Sequence, residues 1–273
     1  MTEFSSNLCN LKQEFVKNYN GNSHVTEILP NYASSLYSID HDQLKLLHKF
    51  IECNPIYLDK TCKEISELEY TIYGGDLNNY WIDSLKHDLS YAPFYPTWML
   101  SAFCLCLEMK NLGFQQVIDI GSGDGRIAYC AKILGLDTLS IEIDQNLVKL
   151  QQEVSSKTNL IFNPFCIDAT TYDYEKLTMK KTGFVIGGVP EIGEMLADSV
   201  IQNVIKNEFL SKNSLFVLTG SHAKRRFSKE ETHFGWGKLI NNYGLDVISN
   251  LSLPTYWTMD QTFETPYVFT KKR

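Results

Sequence analysis

An α/β fold with a mostly parallel sheet is what this sequence predicts, and three observations carry it. A run of β-formers (Val117, Ile118, Ile120) breaks into glycines at 121, 123 and 125, and apolar residues return at helical spacing as Ile127, Ala128, Ala131 and Ile133. That reads as strand, glycine turn, helix. From there to the carboxyl terminus, short β-rich runs alternate with helical patterns, the order that gives parallel strands joined by crossover helices. Residues 1–90 lack this alternation, and their apolar spacing reads as helices. The chain therefore divides into a helical amino-terminal extension, residues 1–90, and an α/β domain, residues 91–273.

Composition sets the outer bounds. The 273 residues suit one large or two small domains, the 44% of hydrophobic residues fill a substantial core, and a net charge of −7 gives no global pull towards nucleic acid. The seven cysteines are odd in number, scattered and without a CxxC pair, so reduced thiols are expected, with neither a disulfide framework nor a metal site. No apolar run reaches the ~18 residues of a membrane span, and the polar start lacks a signal-peptide core. A cytoplasmic, soluble protein is expected, without internal repeats or low-complexity tracts.

In the extension, Leu11, Phe15 and Tyr19 suggest one short helix, and Leu44, Leu47, Phe50 and Ile51 form a clearer apolar face behind Asp40 or Asp42 as N-cap. A third helix is expected over 61–73, closed by Gly74 and Gly75. Two roles are open to this extension: a cap that contributes to substrate choice, or a stabilising addition that never meets substrate. Pro93 and Pro96 then fix an extended path into an apolar helix over 98–112, which Gly113 ends.

The glycine turn comes next. Glycine is needed where φ must be positive or where a ligand approaches closer than a Cβ allows, and the new helix presents unpaired N–H groups to that ligand. A nucleotide-like cofactor suits such a turn. The dinucleotide fingerprint G-x-G-x-x-G puts its third glycine where this chain has Arg126, so the pattern is instead Asp119-x-Gly121-x-Gly123-x-Gly125. Beyond Gly135, residues 138–143 read as a second strand ending in Glu142, about 20 positions past the turn, where a ribose diol is held. A third strand, 160–167, ends at Asp168 and Ala169. The fourth, from Gly183, ends in Gly187 and Gly188 and leads to a helix over 191–209. Strands at 215–219, 245–249 and 266–270 bring the number to seven, with a helix over 234–243. Residues 221–229 form a basic loop, open to an acidic partner, a phosphate or plain solvent, and His222 and His233 are candidate bases or polar surface.

The Asp119-to-Gly125 pattern resembles the first motif of the class I, seven-strand methyltransferases, which bind S-adenosylmethionine. The resemblance implies a Rossmann-like seven-stranded, mostly parallel sheet with helices on both faces and S-adenosylmethionine as cofactor. It also implies cofactor contacts from Asp119, Gly121, Ser122, Gly123, Gly125, Arg126, Glu142, Ile143, Asp168, Ala169 and Gly187. In that set Asp119 receives the α-amino group or orders the turn. Asp168 borders the adenine, or else is simply a helix N-cap before Thr170.

A narrower resemblance covers roughly residues 91–210. Tyr95, Pro96 and Thr97, the following helix, the run 119–126, the run 141–144 and the turn Gly188-Val189-Pro190 are similar to the archaeal and mitochondrial protein-lysine methyltransferases, including those acting on the ATP synthase c-subunit. It implies a lysine acceptor, whose unperturbed pKa of about 10.4 must be lowered by an apolar or aromatic channel. Tyr91, Phe94, Tyr95 and Trp98 are candidates for that wall, or for core residues anchoring the helix. Pro96, Thr97, Gly188, Val189 and Pro190 complete the substrate side. Tyr95 and Glu191 are the candidate catalytic residues, Glu191 either orienting an amine or favouring a helix N-terminus. The [DN]-P-P-[YFW] turn of amino-methyltransferases is absent, which disfavours adenine or glutamine as acceptor. Two other functions stay open: the same cofactor chemistry on a small molecule with the extension as a lid, and a non-catalytic S-adenosylmethionine-binding protein. The expected partner is a protein or small-molecule methyl acceptor rather than nucleic acid.

Overall fold

The computed structural model describes residues 2–17, 19, 25–78, 80–84, 89–93, 96–188, 190–219, 235–255 and 264–273. The extension opens with α1 (Glu3–Val16), capped by Thr2, followed by β1 (Val25–Pro30) and α2 (His41–Cys53). Asp40 caps α2 through a capping box: its carboxylate accepts the Gln43 amide and the Gln43 side chain accepts the Asp40 amide. Both of the first two expected helices are present.

The third is not. Residues 61–73 belong to an antiparallel hairpin of β2 (Tyr57–Ile65) and β3 (Leu68–Gly75), which joins β1 in a three-stranded sheet of order β1-β3-β2. Thr71, Ile72 and Tyr73 are β-formers. The turn between the strands uses Ser66 and Glu67, both at positive φ (49° and 66°), the twist a tight hairpin needs. Neither is the Asn or Gly that advertises such a turn, and that is why the segment read as helix. A second hairpin pairs β4 (Trp81–Ser84) with β5 (Leu89–Pro93). The extension is mixed rather than helical.

From here strands and helices alternate: α3 (Met99–Asn111), β6 (Gln116–Ile120), α4 (Arg126–Ile133), β7 (Asp137–Glu142), α5 (Gln145–Thr158), β8 (Pro164–Cys166), β9 (Thr182–Ile186), α6 (Pro190–Lys206), α7 (Glu208–Asn213), β10 (Ser214–Thr219), α8 (Gly235–Tyr243), β11 (Leu245–Leu253) and β12 (Thr265–Lys272). The expected helix over 191–209 is interrupted at Asn207, whose side chain accepts the Leu210 amide and starts α7. The seven strands form one sheet of order β11-β12-β10-β9-β6-β7-β8. Strands β8, β7, β6, β9 and β10 run parallel, and β12 lies antiparallel between β10 and β11. This is the Rossmann-like, mostly parallel sheet that the sequence predicts.

Helices cover both faces. One core holds Ile118, Ile120, Phe184, Phe216 and Leu218 beneath α6 and α8. The other packs Val117, Val185, Val217 and Phe269 against α3 and α4, and continues unbroken into Leu8, Phe15, Leu47 and Phe50 of the extension. Helix α3 is the cause of that continuity. Met99, Leu100, Ala102, Phe103, Leu105, Cys106 and Met109 are all buried, so the helix is apolar all round and has to be covered on every side. α4 covers part of it, while α1 and β1 cover another part. Among the described residues no helix is long and apolar enough to cross a membrane.

Candidate functional site

In an open α/β sheet, ligands bind at the carboxyl ends of the strands where the strand order reverses. Here that point lies between β6 and β9, since β7 and β8 extend the sheet on one side and β10 on the other. Two loops of bare backbone meet there. Gly121, Gly123 and Gly125 follow β6 with φ of 66°, 57° and 80°, a conformation that side chains resist. Gly187 follows β9, and its amide donates to the Ile120 carbonyl at 2.7 Å. A Cβ at Gly187 would stand 2.7 Å from the Gly121 oxygen, so this approach demands glycine.

Acidic side chains sit at the strand ends. Glu142, at the end of β7, is buried and accepts the amides of Ile143 and Asp144 on Oε1 at 2.8 and 3.0 Å, and of Gly123 on Oε2 at 2.8 Å. Burial pushes its carboxyl up, and those three amides pull it back. A carboxylate has about four lone-pair directions, so among the described residues one on Oε2 is left for a hydroxyl. Asp119, on β6 and 3% exposed, is less satisfied. Among the described residues its carboxylate accepts one long bond, 3.4 Å from the Ala128 amide. Burial pushes its pKa up to about 8, and the charges of Glu142 and Asp124 add to the rise.

The turn is braced from beneath by Gln151 of α5. Its amide donates to Ser122 Oγ at 2.9 Å and to the Gly123 carbonyl at 2.8 Å, and its oxygen accepts from Ser140 Oγ at 2.6 Å. Gln151 is missing from the sequence-derived set, yet it left a signal: it is a polar residue in line with Leu147, Val154 and Thr158 on the buried stripe of α5. Asp168 accepts the Thr170 amide and hydroxyl at 2.9 and 2.7 Å and so closes a local turn rather than capping a helix, since the next helical turn starts only at Tyr174 behind Asp173; Ala169 beside it is buried. Ile143 is half-buried next to Glu142, and Gly188 is exposed with φ of 90°.

Arg126 does something other than expected. It is 2% exposed, and its guanidinium turns to the extension, to Asp124, Glu27, Tyr57 and the Thr97 carbonyl. All five N–H directions of the fork are taken, so the side chain has no donor left for a cofactor. Trp98, expected at a substrate wall, is 1% exposed and packs in the core with the rest of α3, the second of its two sequence-derived roles. Pro96 is buried and Thr97 half-buried. Thr97 pairs with Thr255 across an isolated bridge and its hydroxyl meets that of Tyr267 at 3.0 Å. Phe94, Tyr95, Val189, the loop 221–229 with His222, and His233 lie outside the described residues, as do the side chains of Tyr91, Pro190 and Glu191.

Fold and site together define a Rossmann-like α/β protein with a glycine turn at its switch point, where the described residues place the buried acids Asp119 and Glu142. No family profile and no curated protein matches the sequence. Among solved structures the chain is similar to a TehB-like SAM-dependent methyltransferase from Corynebacterium glutamicum, at 15% identity over 63% of this chain and 88% of that one, with a TM-score of 0.44. It is also similar to the magnesium protoporphyrin IX methyltransferase of Synechocystis with bound SAM, at 12% identity over 64% and 78% of the two chains, TM-score 0.46. A ribosomal protein L11 methylase from Lactobacillus delbrueckii is a third, at 9% identity over 64% and 79%, TM-score 0.42.

Proposed function

We propose that this chain is an S-adenosylmethionine-dependent methyltransferase, and that its acceptor is a lysine side chain of a protein. The observation that carries the first half is Asp119, a buried carboxylate at the switch point that among the described residues accepts one long hydrogen bond. Such a group needs a donor or a cation beside it. A pyrophosphate would put negative charge against Asp119 and Glu142 with Arg126 already occupied, whereas an α-amino group and ribose hydroxyls supply what both carboxylates lack. The sheet argues the same way. A dinucleotide fold continues as 3-2-1-4-5-6 in parallel, whereas here an antiparallel β12 separates β10 from β11.

In this reading Asp119 holds the amino group, Glu142 takes a ribose hydroxyl on its open lone pair, the glycine turn admits the cofactor against bare backbone, and Asp168 and Ala169 border the base. When bound, the cofactor supplies an electrophilic methyl carbon on a sulfonium, whose departure leaves a neutral thioether. The chain therefore has to align and desolvate the acceptor more than it has to move protons. For lysine it must also favour the uncharged amine, which is the task assigned to Tyr91, Phe94 and Tyr95 with Glu191 orienting the nitrogen. Trp98 is left out of this wall because it serves the core.

Calorimetry on the pure protein tests the cofactor. Heat is expected with S-adenosylmethionine and with its demethylated product, and Glu142→Ala should weaken both by about one to two decades. Heat from a nicotinamide dinucleotide alone would sink the assignment. Methyl-labelled cofactor in a cell extract tests the acceptor: label on a protein band that survives alkali supports lysine, and label confined to small metabolites overturns it.

A further inference from the structure

A buried ionic cluster, which holding a cofactor does not of itself require, ties the glycine turn to the extension. Arg126 donates to Asp124 from Nε at 2.9 Å and from Nη2 at 2.6 Å, to the Tyr57 hydroxyl from Nη2 at 2.9 Å, and from Nη1 to Glu27 and the Thr97 carbonyl. Glu27, on β1 and 1% exposed, also accepts the Tyr57 hydroxyl at 3.1 Å and, on its other oxygen, the Met99 amide at 2.8 Å. Asp124 is wholly buried and accepts Asn54 Nδ2 at 3.0 Å, from the C-cap of α2. Among the described residues every contact to the Glu27 carboxylate comes from a donor, which favours the ionised form, while burial pushes its carboxyl up.

One guanidinium between two carboxylates in a core is an expensive way to obtain stability, and an apolar trio of the same volume would serve as well or better. What a fully bonded cluster gives is registration: a single arrangement of the segments that meet in it. Those segments are β1, the start of β2 and the α2 C-cap of the extension, the first turn of α3, and Asp124 and Arg126, which stand on either side of Gly125. Gly125 sits at φ of 80°, and its amide donates to the Ser122 carbonyl at 2.8 Å, closing the turn.

We propose that Glu27 and Tyr57 are positioning residues for the cofactor turn, acting through Arg126 and Asp124, so that β1 and β2 are part of the cofactor site rather than of a separable cap. The ligand's identity rests on the function proposed above; the bracing of the turn does not. The full-length chain tests it, with Tyr57→Phe and Glu27→Gln set against Leu8→Ala, which removes core packing from α1 without touching the cluster. Hydrogen exchange at the amides of Gly123, Gly125 and Arg126 in ligand-free protein reads the turn, and calorimetry with S-adenosylmethionine and its demethylated product reads the site. Both cluster variants should speed that exchange and weaken that binding by about tenfold or more, while Leu8→Ala, for a similar drop in thermal midpoint, changes neither by more than about twofold. Cluster variants whose turn exchanges within about twofold of wild type overturn the proposal, and so does a Leu8→Ala protein that loosens the turn equally. Should wild type give no heat with either compound, the cofactor reading fails and the exchange arm alone decides the bracing. Should Glu27→Gln not fold, Tyr57→Phe, which loses a single hydroxyl, decides it.

Discussion

Asp119 shows most directly how one side chain couples this fold to its ligand. Its carboxyl, pushed up to about 8, lies above the unfolded value of about 3.9, so the folded state holds the proton more tightly than the unfolded chain. Its contribution to stability is therefore complete below about pH 4 and is lost as pH rises through about 8. Denaturant titrations across that window should show this decline, and Asp119→Asn should flatten it. A cationic ligand inverts the preference, because it binds the ionised carboxylate. Affinity for the cofactor should rise with pH up to about 8, and binding at pH 7 should release protons, seen as a heat that varies with the ionisation enthalpy of the buffer. Asp119, the alternating glycines and Glu142 are legible one by one, because each shapes the backbone or ends a strand within its own stretch of chain. Arg126 is not. Glu27, its partner, is separated from it by 99 positions, and no spacing rule spans that distance.

Single elements were legible where the sequence carries its own punctuation. α2 is such a case: an apolar stripe behind Asp40 or Asp42 predicts the helix, and the structure gives the cap to Asp40, which Gln43 completes as a capping box. Asp40→Ala should cost about 1 kcal/mol, a fall of roughly 2 °C in thermal midpoint by scanning calorimetry. Cofactor affinity should not change, since Asn54, which meets Asp124, stands at the other end of that helix. The β2–β3 hairpin is the opposite case. Its turn places Ser66 and Glu67 at positive φ, a geometry that strand pairing imposes and that those residue types do not announce. β8 is shorter than the apolar run 160–167 suggests, since Asn163 also takes positive φ (48°) and the ladder begins only at Pro164.

For the molecule as a whole, the consequence of an α3 that is buried all round over residues 99–106 is that the extension covers a face the domain would otherwise expose. Phe4 packs its ring against Phe103 at 6.3 Å between centroids, and the Met99 amide that starts the helix is held by Glu27. A chain beginning at residue 77 would expose that side of α3 and leave Arg126 and Asp124 without Glu27, Tyr57 and Asn54. Such a chain should show no cooperative thermal transition by circular dichroism and should bind a hydrophobic dye; a sharp melt would show that the extension is dispensable. The sequence by itself determined the alternation, the glycine turn and the acids at the strand ends, because periodicity, backbone freedom and charge placement are properties of neighbouring residues. Only the tertiary structure decided that Arg126 faces the extension, that Trp98 belongs to the core and that residues 61–73 are strands, because each of these depends on burial and on partners that close contact brings together from distant parts of the chain.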